Sequence, residues 1–230
     1  MRERTSLVLV IAVAAACAVR PSAVADADHL VVVKSVRLPD REWLPWYTRF
    51  AEHCWVDVKL GAEWTRVEWN QHLEHVQVEP LAADDAMRDE RWGRGVAVHG
   101  VEAGAFAREL GLRILATAAD FPAAADYRAW PGPNSNSFVD WLARTTGLPL
   151  HLPPNAVGKD YAAWLRVGAS SSGSGVEAET ALLGVQAGLR EGLELHALGL
   201  TLGVGLWPPA LKLPFLPAIP GGWLAPAGEP

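Results

Sequence analysis

Residues 52–70, EHCWVDVKLGAEWTRVEWN, constrain the fold more than any other stretch of the chain. Two runs rich in β-branched and aromatic residues flank Gly61-Ala62, the pattern of an antiparallel hairpin. Side chains on a strand alternate between faces. Cys54, Val56, Val58 and Leu60 therefore share one face, and His53, Trp55, Asp57 and Lys59 the other. The first set predicts a core face and the second a wetter one. Cys54 is then a buried thiol, pointing away from its neighbour His53.

More strands are predicted around the hairpin. HLVVVKSVRL at 29–38 reads as an early strand, QHLEHVQVEP continues extended, and VAVHGV is a further short strand. LAADDAMRDERWGRG reads as a charged loop. EAGAFARELGLRILATAAD carries Phe106, Leu110 and Ile114 at helical spacing and predicts a helix of about five turns, stopped by Pro122. A second helix runs from Ser135 to Gly147, with Phe138, Trp141 and Leu142 on its buried side and Gly147 as its end signal. GASSSGSGVE at 168–177 predicts a flexible loop. In LELHALGLTLGVGLW, residues 198, 200, 202, 204 and 206 are Leu or Val, with Gly or Thr between them, which predicts one strand rather than a membrane helix. The tail after it is Pro-rich and apolar. The fold class is α+β: an antiparallel sheet packed against two main helices, as one domain over 26–230.

The N-terminus reads as a targeting segment. Two arginines precede LVLVIAVAAACAV, 13 apolar residues that are few for a bilayer span, and Ala23-Val24-Ala25 offers a small-x-small cleavage site. Residues 1–25 are expected to be a secretion signal, with an uncleaved anchor or a lipid at Cys17 as alternatives. Localisation in the periplasm or cell envelope follows. Losing residues 1–25 removes three arginines and one glutamate and takes the net charge from −6 to −8. An acidic domain argues against a nucleic-acid partner, and gives no reason to expect attraction to an anionic membrane surface. Membrane contact is expected only through the N-terminus. With Cys54 alone remaining, no internal disulfide and no Cys-rich metal site can form.

The chemistry-bearing stretch is AWPGPNSNSFVDWL, residues 129–142. Its prolines and glycine make a turn, and Asn134, Ser135, Asn136 and Ser137 then open a helix. Free backbone N–H groups at a helix start can be capped by a side chain or can hold an oxyanion. Both uses are open here. A serine nucleophile needs a base, and His53 on its strand is the candidate, with Glu68 or Asn70 on the next strand to orient it. Lys159, Asp160 and Tyr161 are polar enough to line a cleft, although an Asp-held turn explains them equally well. His72 and His75 lack a third ligand, so neither a metal nor a cofactor is expected.

Two resemblances bear on this. EHCWVDVK, RWGRG, YRAWPGPNSNSFVDWL, LPPNAVGKDY, EGLELHALGLTLGV and PALKLP together resemble the bacterial family DUF3750, over roughly residues 40 to 215. That family carries no established activity. More weakly, His53-Cys54-Trp55-Val56 followed by Asn134-Ser135-Asn136-Ser137-Phe138 resembles the permuted NlpC/P60 and lecithin-retinol-acyltransferase-like hydrolases. These place a histidine on a first strand and Asn-Cys-Glu-His-Phe at a later helix start. The resemblance implies a papain-like fold and a hydrolase or acyltransferase acting on an amide or ester of an envelope peptide, glycan or lipid. Ser135 would be nucleophile, His53 base, and the backbone at Ser135–Asn136 the oxyanion donor. Ser135 stands where those enzymes have cysteine, a better nucleophile at neutral pH. The rival expectations are a non-catalytic binding module and a structural envelope protein.

Overall fold

The computed structural model describes residues 27–38, 49–73, 75–88 and 95–219. The expected leader at 1–25, Cys17, and most of RWGRG lie outside these residues.

The hairpin forms as β2 (Glu52–Leu60) and β3 (Glu63–Glu68), with Leu60 opposite Glu63, Val56 opposite Val67, and Gly61 at φ 64° in the turn. They belong to a five-stranded antiparallel sheet with β1 (His29–Arg37), β4 (Gln77–Leu81) and β5 (Val96–Ala103), in the order β4-β3-β2-β1-β5. Three helices are described: α1 (Ala83–Arg88), α2 (Gly104–Thr117) and α3 (Ser135–Thr146). Helices α2 and α3 lie on the face carrying Val31, Val33, Cys54, Val56 and Val58, and bury Leu110, Ile114, Phe138, Val139 and Leu142 against it. Gly111 lets α2 approach closely, because a Cβ there would lie 2.7 Å from Val58 Cγ1. Helix α3 ends as expected, with Gly147 left-handed at φ 77° and its N–H returned to the Ala143 carbonyl.

The other face of the sheet is not wet. His53, Trp55 and Asp57 are all buried, Leu30, Val32, Trp64 and Ala86 form a second small core there, and Lys34 Nζ donates to the Ala86 carbonyl of α1. Alternation tells which residues share a face; both faces of this sheet are covered, one by aliphatic packing and the other by ion pairs. Asp57 accepts from Arg66 at 2.8 and 2.9 Å and lies 3.0 Å from Lys34 Nζ. The helix expected over 102–120 is a shorter one followed by a 3-10 turn at Ala118–Asp120, with Phe106 on its exposed side, and the stretch expected as a charged loop contains α1.

The C-terminal part forms a second sheet where a loop and one strand were expected. Strands β6 (Arg166–Ala169), β7 (Gly175–Glu179), β8 (Leu183–Gly188), β9 (Gly192–Ala197), β10 (Leu200–Leu206) and β11 (Pro209–Lys212) pair in chain order as an antiparallel meander. The Ser/Gly stretch is the β6–β7 hairpin. The predicted single strand over 193–207 breaks into β9 and β10 at Leu198-Gly199, both at positive φ (52° and 76°), the signature of a tight two-residue hairpin turn. The fold is thus mixed α and β, and mostly sheet.

Replacing Gly111 by alanine is expected to destabilise the protein by about 1–3 kcal/mol, because the new methyl overpacks the α2–β2 contact. The midpoint of urea unfolding checks this, and an unchanged midpoint would mean that the helix has room to move away.

Candidate functional site

The helix start that drew attention in the sequence is closed upon itself. Asn134, extended at φ −145°, accepts on Oδ1 from the backbone N–H of Asn136 at 2.9 Å and of Ser137 at 3.3 Å. Its own N–H donates to Ser137 Oγ at 2.6 Å, completing a reciprocal cap. The cap residue is therefore Asn134, not Ser135. The two asparagines also tie the helix to its surroundings. Asn134 Nδ2 donates to the Ala129 and Val157 carbonyls at 3.1 and 3.0 Å. Asn136 Nδ2 donates to those of Glu52 and Val157, both at 2.9 Å. Ser135 is buried; its Oγ lies 3.5 Å from Asn136 Oδ1 and it hydrogen-bonds with Tyr127, whose phenol is pushed up by burial.

His53 takes other partners. Its Nε2 lies 3.0 Å from Glu68 Oε1, which also accepts from Asn70 Nδ2 at 3.0 Å. The ring stacks on Trp55, with centroids 5.9 Å apart and planes 27° apart. Among the described residues no hydrogen bond joins Ser135 to His53. Ser135 bonds Tyr127 instead, and Tyr127 feels the charge of Glu68, the partner of His53. Cys54 is fully buried and free, with its thiol pushed well up by burial and next by Glu52.

A polar knot that sequence reasoning missed lies beside β2. Ser35 Oγ donates to Glu52 Oε2 and lies 2.6 Å from His99 Nε2, while Asn155 Nδ2 donates to Glu52 Oε1 at 2.8 Å. Burial pushes the Glu52 carboxyl up, but the bonds from His99 and Ser35 outweigh it and leave the group below its usual range. Glu52 lies 3.4 Å from the same His99 nitrogen that meets Ser35. A serine–histidine–acid relay needs the acid on the other ring nitrogen, so the knot is not one.

The largest assembly of titratable groups lies between the second sheet and residues 151–161. Glu194 is its centre: it meets Lys159 Nζ at 3.0 Å, His151 Nε2 at 3.0 Å, His196 Nε2 at 2.9 Å, and Lys212 Nζ. His196 Nδ1 lies 2.7 Å from Glu179 and its Nε2 3.1 Å from Asp160, which also holds Lys159 at 2.6 Å. Burial pulls the His196 pKa down, but the Asp160 charge and the bonds to Glu179 and Glu194 outweigh it and bring it to about 9. Burial likewise pushes Glu194 and Asp160 up, and the surrounding cations hold both carboxyls below their usual range. Asp160, Glu194 and His196 stand close enough to share a metal ion. The donor set reads otherwise, because Lys159 is paired with both carboxylates and supplies the cation itself. Lys159 and Asp160 are buried in this layer, and Tyr161 packs on the turn at Gly132. Nearby, Arg144 and Arg166 border a shallow groove, but both guanidiniums already face Asp140 and Glu177.

The second sheet is inside out. Its inner face carries glycine or polar side chains at almost every position, among them Glu177, Glu179, Gln186, Glu194, His196 and Lys212, all buried. Its outer face is aliphatic. One cross-strand row reads Val167, Ala178, Val185, Leu195, Leu202, and the next Ala169, Val176, Ala187, Leu193, Val204, Leu211. The valines and leucines of both rows are 45–72% exposed.

The sequence model of a family described as "Protein of unknown function (DUF3750)" matches residues 34–161. The match ends just before β6. No curated protein and no solved structure matches the chain.

Because His196 is raised from 6.5 to about 9 on folding, its contribution to stability is complete below pH 6.5 and is lost as the pH climbs through 9. Its full size is about 3 kcal/mol. Unfolding free energies measured from pH 6 to 10 should fall in this window for the native chain. With His196→Gln the curve should be lower and flatter; an unchanged slope would show that His196 does not carry the charge.

Proposed function

The chain belongs to the DUF3750 family, and from that premise we propose that it is an exported cell-envelope protein working as a non-catalytic binding module, with the aliphatic face of its second sheet as the contact surface. One observation carries this reading: Asn134 takes up Asn136 N, one of the helix-start donors expected for an oxyanion at Ser135–Asn136, together with Ser137 N. A nucleophile at Ser135 would also lack a direct hydrogen bond to its base, His53. The polar residues of the NSNS stretch then serve as fastenings.

A second reading keeps one supporting observation. The 3.0 Å contact of His53 with Glu68 is the base-and-orienter pair that a papain-like hydrolase or acyltransferase uses. In that reading Ser135, His53 and Glu68 would act together on an amide or ester after a rearrangement at the start of α3.

The two readings part at Ser135. In a chain with Cys17→Ser, Cys54→Ala and Ser135→Cys, iodoacetamide labelling is followed against pH. The binding module predicts a midpoint at or above the ordinary thiol value of about 8.5, indifferent to His53→Ala. A midpoint well below that value, restored to normal by His53→Ala, would establish the hydrolase reading.

Stability separates cap from bystander. Asn134→Ala is expected to cost about 2 kcal/mol, since it removes the cap and the bonds to the Ala129 and Val157 carbonyls. Ser135→Ala is expected to cost less than about 1 kcal/mol. Thermal unfolding of the two variants checks the order.

A further inference from the structure

We infer that the outer face of the second sheet rests on a lipid bilayer, with the sheet lying flat in the membrane interface. The inference takes its choice of face from the binding-module reading and adds the partner. Its ground is the distribution of side chains. Every outward strand position over six strands is Val, Leu or Ala, apart from Pro209 at the edge. Five strand spacings of about 4.8 Å make this face about 24 Å wide.

The borders of the face decide between lipid and protein. A protein interface has an apolar centre and a polar rim. Here the apolar exposure runs on into the turns, through Leu182, Leu189, Leu198 and Trp207, and into Trp164-Leu165 before β6. Arg190, in the β8–β9 turn, sends its guanidinium inward to the Pro149 carbonyl. Trp164 and Trp207 are 86% and 75% exposed. Tryptophan at the border of an aliphatic surface is the residue that settles at the level of lipid headgroups.

The same face is too short to cross a membrane. Its strands have four to seven residues, where a spanning strand needs nine to eleven. The polar inner face is packed on the rest of the protein, so only one side is free to meet lipid. The sequence supplies a route to the surface as well: 13 apolar residues at 7–19 behind two arginines. The chain carries a net charge of −6, so aliphatic burial rather than charge attraction drives contact. Zwitterionic lipid should therefore serve as well as anionic lipid.

The test uses the full chain with Cys17→Ser and one new cysteine, either Val185→Cys or Leu195→Cys on the outer face, or Thr145→Cys, an exposed position of α3, as the reference. Cys54 is buried and does not take the label. Each cysteine carries a nitroxide, and power-saturation spectra are read with oxygen and with a water-soluble nickel chelate, with and without phosphatidylcholine vesicles. The expected result is that vesicles raise oxygen contact and suppress nickel contact at 185 and 195, leave 145 unchanged, and do the same in phosphatidylcholine with added phosphatidylglycerol. Three outcomes overturn the inference. Nickel contact unchanged at 185 and 195 while the chain sediments with vesicles means attachment through the N-terminus alone. Spin–spin broadening at these positions, with twice the monomer mass in solution, means a second copy covers the face. Protection from both reagents without vesicles means another part of the same chain covers it. None of these three bears on the Ser135→Cys labelling, so the non-catalytic reading of Ser135 stands or falls separately. Val185→Asp with Leu195→Asp, folded by circular dichroism, should also lose vesicle binding at the sheet while keeping any N-terminal attachment.

Discussion

The contact of Glu194 with Lys159, Lys212, His151 and His196 is what allows the second sheet to point its polar face inward. A buried carboxylate is costly unless its charge and its lone pairs are both answered. Four donors answer this one. Glu179 and Asp160 share His196, and Glu177 is held by Arg144 and Arg166. The layer is bonded as a unit, with only Glu179 Oε2 and Gln186 Oε1 of its described residues left without a hydrogen bond, so breaking one member strands the others. Glycine is the other half of the arrangement. At Gly184 a Cβ would fall 1.5 Å from Glu179 Oε2, so the long acidic side chain fits only where its neighbour has none. Charges alternate with glycines on the inner face because the charges need the space.

This inversion has a direct physical consequence. A strand offers two faces, and here the polar one is consumed between layers. The aliphatic face is left outside, which in water is the unfavourable arrangement for a surface this wide. The fold itself calls for something to cover it. The DUF3750 match runs to residue 161 and so takes in Lys159 and Asp160, the anchors on the opposite side of the layer, while the sheet they hold lies beyond it. The matched part thus contains the socket for the sheet.

What the sequence made legible follows local rules. The β2–β3 hairpin shows in its alternation and Gly61, and α3 in its Asn/Ser start and Gly147 end. Cys54 shows in its parity with Val56 and Val58. The failures also have a common cause. Periodicity reports which residues share a face, not what that face meets, so His53 was assigned to a wet side that turns out to hold Trp55, Asp57 and Arg66. The β6–β7 hairpin hides in a Ser/Gly run because its inner positions are glycine and its serines tie the turn to Glu191. The β9–β10 turn hides because Leu198 continues the even-numbered leucines although it is a turn residue at φ 52°. The Glu194 network has members 35 residues apart, Lys159 and Glu194, and pairs of that kind leave no mark on a local pattern.

The helix start that looked like a catalytic signature now has a mechanical explanation. Asn134 and Asn136 both bond the Val157 carbonyl, Asn136 also bonds Glu52, and the Glu52 N–H donates to the Asn155 carbonyl at 3.1 Å. One residue further on, Gly158 N donates to the Gly199 carbonyl in the β9–β10 turn. Gly158 sits at φ 80°, where a Cβ would meet Asn134 Nδ2 at 2.6 Å. The start of α3, the edge of β2 and the β9–β10 turn therefore converge on residues 155–158, and Lys159-Asp160 follow at once. Fixing that short segment fixes the position of the two charges that hold His196 and Glu194. Asparagine suits the task because its amide donates two hydrogen bonds while its oxygen caps the helix. A sequence that repeats Asn and Ser at a helix mouth thus joins layers, through the bonds of Asn134 and Asn136 to the segment that carries Lys159 and Asp160.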